Sequence, residues 1–474
     1  MYDLKNKQVL VIGLGTRGRA ACELLQRSGA NVTVVDCANN EDLRDEAGKL
    51  RSLGVEVKLS ATTLSDRQFN LAVASPAVPS NSPLMRQAVQ RNVPIIGELE
   101  LGYRLSHCLN LAIAGTNGKS TTAEMVEQIL LHHHRKTVLT GHRSRPLCAV
   151  VEQSKELDFL ILQVNSFQLE RTQFFRPAVA VLLNLAADHL DRYAGVADYA
   201  RANARLFMNQ QPFEWAIAQS EALAQLQALE IPLPSKVITL SANNRRADIY
   251  LERGLLISRL PGWAGPLLDM DHCQLRGPHN AENLMAALAV GHVLRLPLES
   301  MVDALKKYAP PPHRCELAAE INGVKFINDS KATNVDALHK ALLSVPAGKG
   351  GEPNIWLIAG GRDKGLDFHY VGPLLSQRVK QAFLIGEARE KIRASWSLFT
   401  PCTAMDSLLE AVNQAAANAV RGDVVLLSPA CSSFDQFRNY QHRGEVFREA
   451  VTQGGNAVRV PGQSGTNQTD NGKK

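Results

Sequence analysis

The stretch Leu111-Ala-Ile-Ala-Gly115-Thr-Asn-Gly118-Lys119-Ser120-Thr121 decides the fold of this 474-residue chain. Its apolar start predicts a buried strand, its two glycines predict a tight turn, and the residues from Lys119 onward predict a helix. A glycine-rich turn that leads into a helix presents backbone N–H groups and the positive helix end to phosphate oxygens. Lys119 can then reach the terminal phosphates, and the Ser120 hydroxyl can bind their Mg²⁺. We therefore predict a nucleoside triphosphate site here.

This loop differs from the common pattern G-x-x-x-x-G-K-[ST]. Ile113 occupies the position of the first glycine, and Gly115 lies three residues before Gly118. A single loop pattern also occurs by chance, so a plain strand-to-helix turn is the alternative. The rest of the sequence has to distinguish a kinase, a GTPase and a ligase.

Length and composition exclude several classes of protein. The length suggests about three domains, and 45% hydrophobic with 21% charged residues is typical of a globular protein. The net charge of +6 suits anionic small-molecule substrates, and without a dense Lys/Arg block we expect no nucleic-acid partner. Eight singly spaced cysteines argue against zinc sites and disulfides. With no apolar signal core and no long apolar run, we expect a cytoplasmic enzyme without a membrane span.

The first segment begins with a strand and a G-x-G-x-x-G turn at Gly13, Gly15 and Gly18. A helix follows, and then a strand that ends in Asp36, 18 residues beyond Gly18. This is a dinucleotide-type βαβ pattern, which is also found in dehydrogenases. The pattern alone is weak support for a dehydrogenase, because a phosphate loop follows it rather than a dehydrogenase catalytic domain.

Short apolar runs alternate with helical stretches through the rest of the chain, which predicts parallel sheets covered on both faces. We predict an α/β fold with three domains in series, the first and last Rossmann-like and the central one a P-loop-type parallel-sheet ATPase. An Ala-rich helix from about residue 281 to 296 closes the central domain. The predicted limits are 1–98, 99–312 and 313–461, followed by a disordered tail, 462–474.

Four further motifs, in order with the loop, resemble those of the Mur ligase family. They are Ser166-Phe-Gln-Leu-Glu170, Asp188-His189-Leu-Asp191-Arg192, Asn328-Asp329-Ser330-Lys331-Ala-Thr333-Asn334 and Ser428-Pro-Ala-Cys431-Ser-Ser-Phe-Asp435-Gln-Phe437. The resemblance runs from about residue 6 to 455. The first, third and fourth motifs are similar to those of the branch that adds D-glutamate to UDP-N-acetylmuramoyl-L-alanine in peptidoglycan precursor synthesis, a pathway that supports cell shape and division.

The resemblance implies a reaction and its partners. ATP, with two Mg²⁺ ions, would phosphorylate the terminal carboxylate of UDP-N-acetylmuramoyl-L-alanine, and the amine of D-glutamate would attack the acyl phosphate. The first domain would bind the uridine nucleotide, the central domain ATP and the last domain the amino acid. A monomer is expected.

The resemblance also assigns residues to these sites. It assigns catalysis to Lys119, His189, Lys331 and Lys364. It assigns ATP binding to Gly115, Thr116, Asn117, Gly118, Lys119, Ser120, Thr121, Asn280, Asn283, Arg314 and Asp329. It assigns substrate binding to Gly15, Thr16, Arg17, Asp36, Ser75, Thr333, Ser433, Phe434 and Tyr440, and metal binding to Ser120, Gln163 and His189. Helix capping is the alternative role for Asn280 and Asn283, a structural role for His189, and a solvated surface position for Lys364.

The chain departs from the family pattern around the metal ions and the diphosphate. Gln163 stands where the resemblance implies a glutamate ligand, and Asn203 stands where it implies a carbamoylated lysine. An amide oxygen can coordinate Mg²⁺ but lacks the charge of a carboxylate. The remaining departures are Ala77, Asn165, Ala187 and the loop 141–146, in which we expect Arg143 or Arg145 to contact the diphosphate.

Three interpretations follow from these departures. The chain is a working D-glutamate ligase with neutral metal ligands, or a catalytically impaired nucleotide-binding paralogue with a regulatory or scaffold role. The third is a sister ligase, such as a folylpolyglutamate synthase, which would lack the motifs at 166–170 and 428–437. The intact Lys119, His189, Arg314 and Asp329 favour the working ligase.

Overall fold

The computed structural model describes residues 3–142 and 144–453, so Arg143 and the tail 462–474 lie outside the described residues. Three sheets of five, nine and six strands follow one another along the chain. The predicted α/β fold class, with three domains built on largely parallel sheets, is confirmed. The chain divides by its contacts into two compact units. The first comprises the residues up to Ala186 together with Tyr193–Ala309, and the second comprises Ala187–Arg192 and the residues from Pro310 onward.

The first sheet is entirely parallel, with strand order β3-β2-β1-β4-β5. Its strands are β1 (Gln8–Ile12), β2 (Asn31–Val35), β3 (Glu56–Lys58), β4 (Leu71–Ala74) and β5 (Ile95–Gly97). Its helices are α1 (Thr16–Arg27), α2 (Glu41–Ser52) and α3 (Pro83–Gln90). The strands β1 and β4 are buried on both faces, which explains why they read as continuous apolar runs.

The second sheet has the order β14-β13-β12-β11-β10-β9-β6-β8-β7. Its strands are β6 (Leu109–Ala114), β7 (Thr137–Thr140), β8 (Phe159–Gln163), β9 (Val179–Leu182), β10 (Trp215–Gln219), β11 (Lys236–Ser241), β12 (Ile249–Glu252), β13 (Leu255–Ser258) and β14 (Gly265–Asp269). The associated helices are α4 (Glu98–Leu105), α5 (Lys119–His132), α6 (Ser166–Leu169), α7 (Val196–Ala204), α8 (Ser220–Ala228), α9 (Pro278–Val293) and α10 (Leu298–Lys306). In sheet order, the neighbouring strands β12, β11, β10, β9, β6, β8 and β7 all pair in parallel. The strands β12, β13 and β14 form an antiparallel extension.

The third sheet has the order β15-β16-β20-β17-β18-β19. Its strands are β15 (Glu316–Ile321), β16 (Val324–Asn328), β17 (Ile355–Gly360), β18 (Val379–Ile385), β19 (Cys402–Ala404) and β20 (Val424–Leu427). Its helices are α11 (Val335–Ser344), α12 (Gly372–Arg378), α13 (Arg389–Trp396), α14 (Leu408–Asn418) and α15 (Tyr440–Gln453). The hairpin between β15 and β16 turns at Asn322-Gly323, both with positive φ, which is the two-residue turn that Asn-Gly favours.

The helix predicted at about 281–296 is α9, which begins three residues earlier because Pro278 is well suited to the first helical position. Eleven consecutive residues of α9, from Ala281 to Gly291, are buried. This explains why its sequence shows an all-round apolar composition rather than one apolar stripe. Among the described residues, every helix is too short or too polar to cross a bilayer.

Candidate active site

The phosphate loop lies between β6 and α5, at the carboxyl edge of the second sheet. Gly118 caps α5 with φ of +88°, and a Cβ built on it would lie 2.2 Å from Asn283 Oδ1. Both the left-handed backbone and this close approach require glycine. Lys119 begins the helix, and its Nζ donates hydrogen bonds to the carbonyls of Gly115 (2.6 Å) and Thr116 (2.8 Å). The predicted strand, turn and helix are therefore present in the structure.

Asn184, which follows β9, holds the loop from the neighbouring strand. Its Oδ1 accepts from Asn117 N (2.9 Å), and its Nδ2 donates to the Asn117 carbonyl (3.0 Å). Its own carbonyl accepts from Thr116 N at 2.7 Å. Asn184 is a residue of this site that was not predicted from the sequence. Its one available signal was its position at the end of an apolar strand beside the loop strand.

The side chain of Thr116 points away from Asn184 and contacts Ala186 and Tyr199, which belong to the same unit. Its Oγ1 accepts from Ala186 N at 2.9 Å and lies 3.1 Å from the Tyr199 hydroxyl. Thr116 is 5% exposed, so its predicted contact with ATP would be made by its backbone.

Asn283, on α9, packs closely against Gly118 and bonds to the first turn of α5. Its Oδ1 accepts from the Thr122 hydroxyl (3.3 Å), and its Nδ2 donates to Asn280 Oδ1 (3.1 Å). Asn280 Nδ2 in turn donates to the Arg276 carbonyl (2.8 Å). The cap of α9 is Gly277, without a side-chain capping bond, so neither asparagine caps the helix. The structure brings Asn283 to the phosphate loop, as an ATP site would require.

The predicted metal ligands of the first unit are neutral. Gln163 ends β8 and pairs in register with Ile113 of the loop strand, and Ser120 is the second residue of α5. Asn203 is completely buried; its Nδ2 donates to the Tyr199 carbonyl (2.8 Å), and its Oδ1 has no hydrogen-bond partner among the described residues. The described residues contain no group of three His, Cys, Asp or Glu side chains that could hold a metal ion. This donor set fits one Mg²⁺ that a nucleotide brings with it, and does not fit a second ion held by the protein.

The glycine turn of the first sheet is fastened by Asp36. One carboxylate oxygen accepts from Leu14 N (2.7 Å), and the other accepts from Ala38 N (2.8 Å). Arg17 donates to the Gly141 carbonyl at 3.1 Å, and its Nε lies 3.9 Å from Glu98 Oε2. Burial raises the pKa of the Glu98 carboxyl, and Cys148 N and Arg17 oppose that rise. Asp36 and Arg17 thus both have partners within the protein at the predicted substrate site.

A cavity of about 650 Å³ lies beside β3, the edge strand of the first sheet, and is lined by residues 57–63 together with Asn39, Arg44 and Arg51. Three cationic side chains contribute to its lining, those of Arg44, Arg51 and Lys58. In open α/β sheets, ligands bind at the carboxyl edge where the strand order reverses, which in this sheet is between β1 and β4. The cavity beside β3 is therefore a cationic surface away from that position.

In the second unit, Asp188 joins its own motif to the motif 328–334 and to Lys364. It is 6% exposed, and its carboxylate accepts from Lys364 Nζ (3.3 Å) and Asn334 Nδ2 (3.2 Å). His189 follows with φ of +56°, and its Nε2 lies 3.6 Å from Asp188 Oδ2. The Lys364 side chain is only 15% exposed, so it is a paired residue and not a solvated surface lysine.

Asp329, after β16, has an unusual carboxyl group. It is 8% exposed and accepts from the Ser428 hydroxyl (3.0 Å) and Cys315 N (3.2 Å). Burial raises its pKa to about 7, against the opposing effect of these bonds and of Arg314. A carboxyl with this pKa can exist in either protonation state near neutral pH.

Arg443 of α15 was not predicted, and it connects the loops that follow β16 and β20. It has no exposed surface, and its guanidinium donates to Ser330 Oγ (3.0 Å), the Ser330 carbonyl (2.8 Å) and the Cys431 carbonyl (3.1 Å). The predicted amino-acid residues lie around these loops. Ser433 is buried, Phe434 is 56% exposed, Thr333 is half-buried, and the ring of Tyr440 lies 5.3 Å from Lys331 Nζ.

Comparison with known families gives matches along almost the whole chain. Residues 7–97 match the Mur ligase MurD-like N-terminal domain, 113–291 the Mur ligase middle domain, and 313–431 the Mur ligase glutamate ligase domain. The UDP-N-acetylmuramoylalanine–D-glutamate ligase of Acidobacterium capsulatum is 40% identical over 453 residues, covering 95% of this chain and 97% of that protein. The enzyme of the same name from Koribacter versatilis is 36% identical, covering 95% and 98%.

Solved structures agree with the fold. A UDP-N-acetylmuramate–alanine ligase from Thermotoga maritima has a TM-score of 0.58 and 17% identity, covering 94% of this chain and 100% of that one. A MurF ligase from Thermotoga maritima in complex with ADP has a TM-score of 0.59 and 16% identity, covering 96% and 99%. At these identities the comparison concerns the fold alone.

Proposed function

The chain belongs to the Mur ligase family, and on this premise we propose that it is an ATP-dependent ligase that joins D-glutamate to UDP-N-acetylmuramoyl-L-alanine. The observation that carries the proposal is the phosphate loop held by Asn184 and packed against Asn283, in a chain that matches named D-glutamate ligases along 95% of its length. The reaction forms a C–N bond in peptidoglycan precursor synthesis.

The chemistry brings an ATP phosphate and a substrate carboxylate together, and these two anions repel each other. Lys119 at the start of α5 would neutralise the transferring phosphoryl group, and the N–H groups of the loop would hold the remaining phosphates. Asn184 keeps this loop in shape, so the phosphates need not organise it when they bind, and Asn283 holds the first turn of α5. Arg314 and Asp329 are the proposed nucleotide contacts of the second unit.

The proposed amino-acid contacts are Lys331, Thr333, Lys364, Ser433, Phe434 and Tyr440. Lys364 is held by Asp188 at 3.3 Å and offers a cation to a carboxylate of D-glutamate. Arg443 fixes the two loops that carry most of the other residues. For the uridine nucleotide, the proposed contacts are Gly15, Thr16, Arg17, Asp36 and Ser75, which follow the carboxyl ends of β1, β2 and β4.

We propose that one Mg²⁺ accompanies ATP, held by Ser120 and Gln163, with His189 as a further proposed ligand. A bound Mg²⁺ would offset the charge of the phosphates and polarise the transferring phosphoryl group. We also propose that the chain acts as a monomer, because all three substrate sites are proposed on one chain. The proposed location is the cytoplasm, where ATP is supplied.

The test is ADP release by the purified full chain with ATP, Mg²⁺, UDP-N-acetylmuramoyl-L-alanine and D-glutamate. We expect turnover with D-glutamate and not with L-glutamate, L-alanine or meso-diaminopimelate. Turnover only with one of the other amino acids would identify a sister ligase, and ATP binding without any turnover would identify a non-catalytic paralogue.

Lys119→Ala provides the matched variant for this assay. Since it removes the cation at the transferring phosphoryl group, we expect kcat to fall by about 10²–10³-fold. The exposed Lys49→Ala should leave kcat unchanged and serves as the control, because its side chain only pairs with Glu46 on α2. A Lys119→Ala variant with full activity would contradict the assignment of the loop.

A further inference from the structure

Arg171, two residues after α6, connects the second sheet to a turn of the first sheet. It is 9% exposed. Its guanidinium donates to the carbonyls of Ser75 and Val78, both at 2.5 Å, and its own carbonyl accepts from Gly97 N at 2.9 Å. The residues 75–78, which follow β4, are called the β4 turn below.

The β4 turn forms one side of the glycine turn that begins at Gly13. A Cβ built on Gly13 would lie 2.9 Å from Val78 Cγ2 and 3.0 Å from Ser75 Cβ. Gly13 N is itself fixed by the Val35 carbonyl at 2.8 Å. With so little space between them, a shift of the β4 turn would be transmitted to the glycine turn or would open a gap beside it.

The geometry of the β4 turn suits a guanidinium. The Ser75 carbonyl accepts from Val78 N at 3.0 Å, which closes the turn. A carbonyl oxygen has two lone pairs, so the Ser75 carbonyl can also accept from Arg171, as the Val78 carbonyl does. A planar guanidinium can donate to both at once, whereas a lysine ammonium provides a point charge without a fixed fork. Ala77 lies at the centre of this turn and has no positive φ.

We propose that Arg171 is a positioning residue for the uridine nucleotide substrate: by holding the β4 turn, it fixes the wall against which the glycine turn receives the nucleotide. The inference rests on the proposed function, because that function places the uridine nucleotide at the first sheet. Arg171 does not take part in the chemistry. Its loss therefore affects binding of the uridine nucleotide and leaves ATP binding and the chemical step in place.

The test compares Arg171→Ala, Arg171→Lys and Arg205→Ala. Arg205 is the matched control, because its guanidinium also donates to two backbone carbonyls, those of Leu169 and Thr172, in the same region. UDP affinity is measured by calorimetry. Hydrogen–deuterium exchange of the peptide that contains residues 75–78 reports on the turn, and steady-state kinetics separate KM from kcat.

In Arg171→Ala we expect faster hydrogen–deuterium exchange in the β4 turn. The affinity for UDP should fall about tenfold, and the KM for UDP-N-acetylmuramoyl-L-alanine should rise about tenfold. The KM for ATP and kcat should stay within about twofold of the wild-type values. Arg171→Lys should restore part of the UDP affinity. Arg205→Ala should leave UDP affinity unchanged even where it lowers the melting temperature.

Two outcomes in the Arg171→Ala variant would overturn the inference. One is an unchanged UDP affinity in Arg171→Ala despite faster exchange in the turn. The other is an equal loss of UDP and ATP affinity, which would show a general structural role. If the wild-type chain binds UDP but does not turn over, the proposed ligase activity fails, and a selective loss of UDP affinity in Arg171→Ala still supports the inference. A wild-type chain that does not bind UDP overturns it.

Discussion

At the scale of single residues, Asp329 combines a buried carboxyl with an identified set of partners. Its pKa is about 7 in the folded chain and about 3.9 in an unfolded one. Between these values the folded state binds the proton more tightly than the unfolded state. The stability that this group contributes is therefore fully present below about pH 4 and is lost as pH rises toward 7, by up to about 1.4 kcal/mol per pH unit.

Asp329→Asn should remove this pH dependence. We expect the free energy of unfolding of the variant, relative to wild type, to rise between about pH 4 and 7 and then to level off. Urea unfolding of both proteins across this range measures the difference. Ser428→Ala, which removes a hydroxyl that donates to the carboxylate, should extend the upper limit of this window to higher pH and leave the lower limit unchanged. A difference that does not vary with pH would contradict a raised pKa.

The sequence alone could predict site residues that belong to a local sequence pattern. It could not predict residues whose partners lie far away along the chain. Lys119 and Ser120 follow from the loop pattern. Asn184, Arg443 and Arg171 each bind backbone atoms that lie far away along the chain, as Arg171 does with Ser75. A lone asparagine or arginine has no local signal for such a role, because its partners are set by the packing of separate elements.

At the scale of elements, the helix α4 is attached to the segment before β9 through Glu100. This carboxylate has no exposed surface and accepts from the backbone N–H groups of Gln173 (2.9 Å), Phe174 (3.0 Å) and Phe175 (3.0 Å). Arg104, one turn along α4, donates to it at 2.7 Å. The carboxylate thus satisfies three N–H groups of one short segment and one guanidinium.

Glu100→Ala should destabilise the chain by about 3–5 kcal/mol, because it leaves buried donors and the Arg104 charge without their acceptor. Glu100→Gln keeps one oxygen acceptor and should cost less. Glu152→Ala is the control: Glu152 pairs with Arg27 at the surface, and its loss should change stability by about 0.5 kcal/mol or less. Thermal and urea unfolding measure all three. Equal effects of Glu100→Ala and Glu152→Ala would show that the buried Glu100 carboxylate contributes little to the free energy of unfolding.

The elements that the sequence predicted are the long apolar strands and the helices between them. The strands that it missed are of other kinds. β3, β5 and β19 have three residues each, too few to show a period. The strands β12, β13, β14 and β15 each have an antiparallel neighbour, and partly buried or exposed positions interrupt their apolar runs. Their pairing depends on neighbours that a parallel-sheet pattern does not reveal.

At the scale of the whole molecule, the order of three sheets could be predicted from alternating apolar runs, but the limits of the compact units could not. The segment Ala187–Arg192 lies between two parts of the first unit in sequence, yet it packs with the second unit. Asp188 explains this, because its carboxylate binds Asn334 and Lys364, which lie more than a hundred residues later. The predicted domain limits at 98, 312 and 461 stay predictions.

The proposed metal ligands of the first unit carry no charge, and this predicts how many metal ions the chain binds. The first unit offers Ser120 and Gln163 as oxygen donors, and Asn203 is a buried neutral amide. Because carboxylates supply the charge that makes strong Mg²⁺ ligands, we expect one metal ion per chain, bound only together with the nucleotide. Mn²⁺ as the probe, with a non-hydrolysable ATP analogue, allows bound ions to be counted by electron paramagnetic resonance.

Gln163→Glu should tighten Mn²⁺ binding in the presence of the analogue by about tenfold, because it replaces an amide ligand with a carboxylate. The same substitution at the exposed Gln90, the last residue of α3, is the control and should leave the affinity unchanged. Two tightly bound ions in the wild-type chain would contradict the prediction, since neutral donors would then be holding a second cation. An unchanged affinity in Gln163→Glu would instead remove Gln163 from the proposed metal site.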